Sequence, residues 1–253
     1  MIPFDEAGSG AAVILLHAGV ADRRMWEDLL PDLAAAGFRA VAFDLPGFGE
    51  AEVEPGPQAP WNDVLMAMNE LGIERAALVG NSFGAAIALR VAVVAPARVD
   101  ALVLVGTPMP GEPSERLAAA WEAEEEALVR GDVDAAVEAV AEAWTKPGPV
   151  RDLVEEMQRR AFELQLEAGE VEDAPDPVEE DPESLTRIGV PLLAIAGAED
   201  MPDFVTGADT LARVVPGARH VVVEGAGHLV PLEAPDEFRA LLIDFLTLQR
   251  VET

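Results

Sequence analysis

The sequence predicts an α/β fold with a doubly wound, mostly parallel sheet and one helical insertion. Short apolar runs, such as AAVILL (11–16) and PLLAIAG (191–197), alternate with longer helical patterns, such as that of Phe83–Val94. The runs lack the polar alternation of half-exposed strands, which indicates parallel strands covered on both faces. Strands and helices that alternate in this way form a parallel, doubly wound sheet.

The expected elements divide the chain into a core and an insertion. Six runs are predicted to be strands: 11–16, 39–43, 76–79, 101–106, 191–197 and 220–224. Four stretches carry helical patterns: Trp26–Ala36, Trp61–Leu71, Phe83–Val94 and Glu237–Leu248. Between 111 and 185 only helical pattern is found, so we expect a helical cap there and a core made of residues 1–110 and 186–253.

Composition narrows the classes of protein that this chain can be. With 253 residues, 50% of them hydrophobic, it is long enough for one sizeable domain with an insertion. The absence of cysteine excludes thiol chemistry, and with an N-terminus that lacks a secretory pattern it favours a cytoplasmic protein. A net charge of −30 argues against nucleic-acid and membrane-surface partners, because both are anionic.

The segment LVGNSFGAAIAL (78–89) places a serine between a strand and a helix. In an open α/β sheet, ligands bind beyond the carboxyl ends of the strands, and Ser82 lies at such an end. A serine on so tight a turn needs small residues two positions before and after it, and Gly80 and Gly84 meet that need. We interpret Ser82 as a nucleophile on a strained elbow; the alternative is a glycine-rich turn with a capping serine.

A serine hydroxyl is a weak nucleophile unless a base removes its proton. Of the three histidines, His228 lies in the glycine-flanked loop GAGH after a predicted strand, so we expect it to be that base. The base needs a carboxylate that fixes its tautomer, and Asp200 is the best placed after the run that ends at Gly197. Glu199 and Asp203 remain alternatives for this carboxylate.

Attack on a carbonyl carbon creates an oxyanion that backbone N–H groups must stabilise. The N–H of Phe83, at the start of the elbow helix, is one expected donor, and the helix dipole favours it. The loop after the run 11–16 supplies the second donor, with Gly19 preferred because a glycine lets backbone approach the substrate closely. We expect His17 to hold this loop by hydrogen bonding. The histidines show no metal-ligand spacing, so neither a metal nor a cofactor is expected.

Together these residues resemble the α/β-hydrolase superfamily over nearly the whole chain. The matching motifs, in chain order, are HAG (17–19), FDLPGFG (43–49), GNSFGA (80–85), GAED (197–200) and GAGH (225–228). The resemblance implies that Ser82, Asp200 and His228 form a catalytic triad and that the amides of Gly19 and Phe83 bind the oxyanion. It also implies that the helical block is a cap that shapes the substrate pocket.

The sequence departs from the family pattern at two positions. Ala18 takes the place of the glycine in the usual His-Gly pair, which leaves Gly19 and Val20 both open as the donor. Glu50 replaces the serine that often follows the glycine loop. Because the elbow carries Ser82, relatives with an aspartate nucleophile, the dehalogenases and epoxide hydrolases, are disfavoured.

Within the serine branch, the chain resembles small carboxylesterases, enol-lactonases and hydrolases of carbon–carbon bonds in ring-cleavage products. The expected substrate is a small, uncharged or apolar ester or lactone. The carbon–carbon hydrolases typically follow the histidine with tryptophan, whereas Leu229 stands here. Perhydrolases with the same machinery, and a ligand-binding receptor on this fold, are the alternatives. Residues that could line the pocket, or else simply belong to the core, are Val20, Met109, Trp121, Trp144 and Leu229.

Overall fold

A seven-stranded sheet forms the centre of the computed structural model, which describes residues 2–169 and 171–251. The strands are β1 (Phe4–Gly8), β2 (Ala11–Leu16), β3 (Phe38–Phe43), β4 (Ala76–Asn81), β5 (Val99–Val105), β6 (Leu192–Gly197) and β7 (Arg219–Val223). Their order is β1-β3-β2-β4-β5-β6-β7, with β1 antiparallel to β3 and the other neighbours parallel. The predicted fold class is confirmed. Residues 1, 170, 252 and 253 of the predicted domain ranges lie outside the described residues.

Helices cover both faces of this sheet. They are α1 (Leu29–Ala35), α2 (Pro60–Glu70), α3 (Phe83–Val94), α4 (Glu115–Val129), α5 (Val133–Trp144), α6 (Pro149–Ala168), α7 (Pro177–Glu180), α8 (Pro202–Val214), α9 (Val230–Glu233) and α10 (Pro235–Val251). Helices α1 and α10 pack on one face, and α2, α3 and α8 pack on the other. Since both faces are buried, the inner strands are apolar over most of their length, as their sequences indicate.

Strand β1 is not among the strands predicted from the sequence. Its five residues are partly or fully exposed, so FDEAG lacks the apolar run that marks the inner strands. It forms by pairing with β3, where Phe4 lies opposite Phe43. An edge strand of this kind depends on a partner that is distant in sequence, and local pattern does not reveal it.

The first predicted helix is divided in the structure. Instead of one helix over Trp26–Ala36, a 3-10 helix covers Arg23–Trp26 and α1 begins at Leu29. Pro31 explains the break, because its ring clashes with the carbonyl four residues earlier and it has no N–H to donate. Proline is tolerated only in the first turn, which is where Pro31 lies in α1.

A helical block lies between β5 and β6, where the sequence predicts the cap. Its described residues form helices and one isolated β-bridge, between Asp173 and Gln58. Helix α4 packs on α5 and α5 packs on α6. Buried residues of the block, including Val137, Met157 and Phe162, join the same apolar core as α1 and α10. Among the described residues, no helix has the length and apolar character needed to cross a bilayer.

Candidate active site

Ser82 lies at a strained turn between β4 and α3, and we call residues 80–84 the elbow. Its backbone has φ 53° and ψ −111°, and it is the one non-glycine residue with positive φ among the described residues. A conformation of this kind costs about 1–3 kcal/mol for a residue with a side chain. The hydroxyl makes no capping hydrogen bond to α3, so the alternative of a capping serine does not apply.

The glycines of the elbow are required by close backbone contacts. A Cβ atom on Gly80 would lie 2.3 Å from the carbonyl carbon of Gly84. One on Gly84 would lie 2.2 Å from the carbonyl oxygen of Leu16, on the neighbouring strand β2. Because backbone atoms cannot move aside as a side chain can, the spacing Gly-x-Ser-x-Gly follows from packing at this corner.

His228 and Asp200 are joined by a buried hydrogen bond. His228 Nδ1 lies 2.9 Å from Asp200 Oδ2 and 3.1 Å from Oδ1. The side chains of His228 and Asp200 are only 3% and 1% exposed. Because a carboxylate only accepts, Nδ1 carries the shared proton, and the neutral imidazole in this tautomer presents a lone pair on Nε2. Asp200 Oδ1 also accepts from the N–H of Met201 at 2.7 Å, which fixes the carboxylate.

The two rival carboxylates point to other partners. Glu199 pairs with Lys146 at 2.8 Å and is about half exposed. Asp203 accepts hydrogen bonds from the backbone N–H and the hydroxyl of Ser114, at 2.7 and 2.6 Å. Burial raises the pKa of Asp203, but the bonds from Ser114 outweigh burial and leave the pKa below its usual range. Asp203 therefore secures the start of α4, while Asp200 is the carboxylate that holds His228.

Two aromatic rings enclose the imidazole of His228. The ring centre of Trp144, at the end of α5, lies 4.5 Å from that of His228. The ring centre of Phe204, in α8, lies 4.4 Å from that of His228, and the two ring planes are tilted relative to each other. Trp144, one of the residues predicted for the pocket, thus brings the helical block into contact with this histidine. Phe204 was not predicted from the sequence, because its position within α8 carries no local signal.

The elbow and the segment that carries His228 are tied together. Asn81 Nδ2 donates to the carbonyl oxygen of His228 at 3.2 Å. Gly106, just after β5, has φ 53°, and a Cβ atom on it would lie 3.2 Å from His228 Cε1. Within the described residues, no hydrogen bond joins the Ser82 hydroxyl to His228. Neither Asn81 nor Gly106 was predicted as a site residue from the sequence, although each lies at the carboxyl end of a strand.

The two expected oxyanion donors lie side by side. A Cβ atom on Gly19 would be 3.4 Å from the Cβ of Phe83. In the part of the chain that the structure describes, the N–H groups of Gly19 and Phe83 donate to no backbone or side-chain acceptor. Val20 is buried next to them and stays an alternative donor. Two free amides beside a nucleophile are the arrangement that stabilises an oxyanion.

His17 holds the loop that carries Gly19. Its Nδ1 donates to the carbonyl oxygen of Ala18 at 2.8 Å, and its Nε2 accepts from the N–H of Leu45 at 2.9 Å. Burial lowers the pKa of His17, because desolvation disfavours the charged imidazolium. His17 is therefore a neutral support for the loop, as the sequence predicts.

The remaining pocket predictions have mixed outcomes. Leu229 is fully buried in the same apolar core as Val20 and Trp144. Trp121 is 51% exposed, because α4 turns Leu117 and Ala127 inward instead. Met109 packs toward α8, with its Cγ 3.4 Å from the position of a Cβ atom on Gly207. That Trp121 lines the pocket stays a prediction, and Met109 is partly buried and packs against the core on the other face of the sheet.

Glu50, the second departure from the family pattern, joins an ion-pair cluster around Arg23. Arg23 donates to Glu50 at 2.6 Å, to Asp5 at 2.8 Å and to the buried carboxylate of Asp44. Asp44 also accepts from the backbone N–H of Glu50 at 2.8 Å. Glu50 therefore helps to hold the glycine loop (residues 43–49) in place through Arg23 and Asp44. In residues 2–169 and 171–251, no group of three or more His, Cys, Asp or Glu side chains could hold a metal ion.

An elbow serine, a buried imidazole–carboxylate pair and two free amides at the carboxyl edge of an open α/β sheet define a hydrolase-type site. The chain matches the sequence model of the alpha/beta hydrolase family over residues 13–241. It therefore belongs to the α/β-hydrolase family.

Similar proteins include esterases, an enol-lactonase and a dienoate hydrolase. An enol-lactonase from Burkholderia xenovorans LB400 is 26% identical, with a TM-score of 0.77 over 97% of this chain and 96% of that one. An esterase from Thermogutta terrifontis, with malate bound, is 25% identical, with a TM-score of 0.79 over 98% and 93%. The 2-hydroxy-6-oxo-6-phenylhexa-2,4-dienoate hydrolase of Comamonas testosteroni is 38% identical over 113 residues, 42% of this chain and 40% of that protein. The chain spans two fifths or less of the length of the first curated relatives that it matches.

Proposed function

We propose that this protein is a serine hydrolase that cleaves small carboxylic esters or lactones through an acyl-enzyme. The observation that carries the proposal is the hydrogen bond of 2.9 Å between His228 Nδ1 and Asp200, at the same sheet edge as the strained Ser82. Asp200 keeps the proton on Nδ1, so Nε2 is free to take the proton of the Ser82 hydroxyl. The catalytic triad is then Ser82, His228 and Asp200.

The reaction follows from these roles. Ser82 Oγ attacks the carbonyl carbon while its proton passes to His228 Nε2, and the amides of Gly19 and Phe83 hold the oxyanion. His228 returns the proton to the leaving alkoxide, which departs as an alcohol and leaves the acyl group on Ser82. A water molecule, deprotonated by His228, then releases the carboxylic acid and restores Ser82. Rotation of the Ser82 side chain brings Oγ to the imidazole, since such contacts often tighten only with substrate bound.

The surroundings of the site support a small, uncharged or apolar substrate. Trp144, Phe204 and Leu229 are apolar neighbours of His228, and the overall charge of −30 disfavours anions. Likeness to an enol-lactonase at 26% identity and to an esterase at 25% supports lactone and ester substrates respectively. No nucleic acid, membrane or cofactor takes part in the proposed reaction. We propose that the protein acts in the cytoplasm.

A second candidate is hydrolysis of a carbon–carbon bond in a ring-cleavage product. The sequence match to the Comamonas testosteroni hydrolase, 38% over 113 residues, supports this alternative. Leu229 after His228 weighs against it. Turnover of a 2-hydroxy-6-oxo-dienoate at a higher kcat/KM than any ester would select this candidate. Saturable binding of small esters with no hydrolysis would instead select a ligand-binding receptor.

The test is a panel of p-nitrophenyl esters and lactones with wild-type protein and two serine variants. Ser82→Ala should lower kcat by at least about 10³-fold, because no other hydroxyl is held at the elbow. Ser9→Ala, at an exposed serine between β1 and β2, is the matched control and should keep wild-type turnover. Ester hydrolysis that survives Ser82→Ala would overturn the proposal.

A further inference from the structure

His228 lies in a loop in which one carboxylate accepts hydrogen bonds from two backbone N–H groups. We call residues 224–229, between β7 and α9, the histidine loop. Glu233, the last residue of α9, accepts from the N–H of Gly227 through Oε2 at 2.9 Å and from the N–H of Leu229 through Oε1 at 3.1 Å. The two oxygens thus bond the amides immediately before and after His228. The Glu233 side chain is only 9% exposed, so water competes weakly for these bonds.

Gly227 and the Glu233 side chain are closely packed, as their hydrogen bond requires. A Cβ atom on Gly227 would lie 3.2 Å from Glu233 Oε2, tighter than an ordinary contact. The backbone N–H of Glu233 in turn donates to the carbonyl oxygen of Leu229 at 2.9 Å. Together with the Asn81 bond to the His228 carbonyl, these bonds fix the backbone on both sides of the imidazole. The direction of the ring then depends on Glu233 as well as on Asp200.

The charged groups near the histidine loop single out Glu233. A cavity of about 240 Å³ borders His228, and the charged residues that line it are Arg116, Glu142, Lys146, Glu199, Asp200 and Glu233. Asp200 is bonded to the imidazole, and Glu199 pairs with Lys146 at the surface. Among these six, Glu233 is the one whose carboxylate bonds the backbone of the histidine loop on both sides of His228.

We propose that Glu233 is a positioning residue for His228, acting through the two amides that it accepts from. The proposal rests on the proposed role of His228 as the general base. A misplacement of about 1 Å can cost about 10²-fold in rate without weakening substrate binding. Loss of the Glu233 carboxylate is therefore expected to lower kcat and leave KM nearly unchanged.

Two variants separate this role from general stabilisation. Glu233→Gln keeps the size of the side chain but replaces one acceptor oxygen with an NH₂ group, which cannot accept from an amide. We expect kcat to fall about 10- to 100-fold, with KM within about two-fold of wild type. Glu237→Gln removes the same charge from an exposed position on α10, is the matched control and should match wild type.

A readout without substrate keeps this test separate from the proposed function. The Nδ1–H proton of His228, in its bond to Asp200, should give a downfield proton resonance, assigned by its loss in His228→Ala. In Glu233→Gln this resonance should broaden through faster exchange with water, and Glu237→Gln should leave it unchanged. If Ser82→Ala keeps ester hydrolysis, the proposed function fails, while this resonance still tests Glu233.

Three results would overturn the positioning role of Glu233. A Glu233→Gln protein with wild-type kcat and an unchanged His228 resonance would overturn the proposal. So would equal losses in Glu233→Gln and Glu237→Gln, which would indicate a general charge effect. If Glu233→Gln does not fold, Glu233→Asp takes its place: its shorter side chain cannot span both amides, so kcat should fall at least about five-fold. A wild-type kcat in Glu233→Asp would then overturn the proposal.

Discussion

The elbow and the histidine loop lie at the same edge of the sheet but hold their side chains by different means. At the elbow, the backbone is fixed by exclusion, since a Cβ atom on Gly84 would lie 2.2 Å from the carbonyl oxygen of Leu16. In the histidine loop, carboxylates hold His228: Asp200 bonds its ring, and Glu233 bonds the backbone N–H groups on either side of it. Steric exclusion is indifferent to charge, whereas the carboxylate bonds depend on it. Changes of charge should therefore act on the histidine loop, and changes of volume should act on the elbow.

The largest expected effect comes from the carboxylate that orients His228. Asp200→Asn replaces one carboxylate oxygen with an NH₂ group that donates to the ring and favours the wrong tautomer, so kcat should fall by about 10³–10⁴-fold with the fold intact. Steady-state hydrolysis of p-nitrophenyl butyrate measures this. Asp203→Asn is the matched control, because Asp203 caps α4 through Ser114 and does not touch His228. A larger loss of kcat in Asp203→Asn than in Asp200→Asn would contradict the assignment.

The next effect tests exclusion at the elbow. Gly84→Ala forces a methyl group against the backbone of β2, and we expect a loss of about 3 kcal/mol in the free energy of unfolding. Urea denaturation measures that loss. Gly189→Ala is the control, because nothing lies within 4 Å of a Cβ atom there, and it should be nearly neutral. Equal stabilities for the two variants would show that the elbow accommodates an added methyl group, so that steric exclusion does not fix its backbone.

A smaller effect concerns pH and the support of the loop that carries Gly19. Because burial lowers the pKa of His17 below its ordinary value of 6.5, the unfolded chain binds a proton at a higher pH than the folded protein does. The stability that neutral His17 contributes is therefore present above pH 6.5 and is lost as the pH falls below it, by at most about 1.4 kcal/mol per pH unit. In His17→Gln, the free energy of unfolding should no longer show this part of its dependence on pH, as measured by urea denaturation at a series of pH values. If the free energy of unfolding depended on pH identically in wild type and His17→Gln, this role of His17 would be contradicted.

The smallest effect concerns the sole lysine of the chain. Lys146, just after α5, pairs with Glu199 at 2.8 Å and donates to the carbonyl oxygen of Gly225 at 2.8 Å, which joins the cap to the histidine loop. Both charged side chains are about half exposed, so Lys146→Met should cost only about 0.2–1 kcal/mol of stability. The difference from wild type should shrink in 1 M salt. A difference that persists in high salt would indicate packing rather than charge.

Much of the sheet edge is predictable from the sequence, because it depends on local pattern. The inner strands are apolar runs, and parallel strands bring their carboxyl ends to one edge. Ser82, Asp200 and His228 each follow such a run, so their meeting there is expected from topology. The expected contact between Asp200 and His228 is present, at 2.9 Å.

Other parts depend on partners distant in sequence. Helix α8 was not predicted, because Thr206, Gly207 and Asp209 are weak helix formers; it forms by packing on the sheet, where Gly207 passes close to the carbonyl oxygen of Thr107. The contacts of Trp144 and Phe204 with His228 need the cap and α8 to be in place. Glu233 lies five residues after His228, and only the fold brings its carboxylate back onto the loop.

The central claim is that Ser82 is activated by His228, and covalent labelling tests it most directly. A fluorophosphonate reacts with a serine only when that hydroxyl is deprotonated during attack, and it yields a stable adduct that peptide mass spectrometry locates. If His228 activates Ser82, one adduct per chain should form, on Ser82, and it should form at least about 10³-fold more slowly in His228→Ala. Labelling of another residue, or equally fast labelling of Ser82 in His228→Ala, would contradict it.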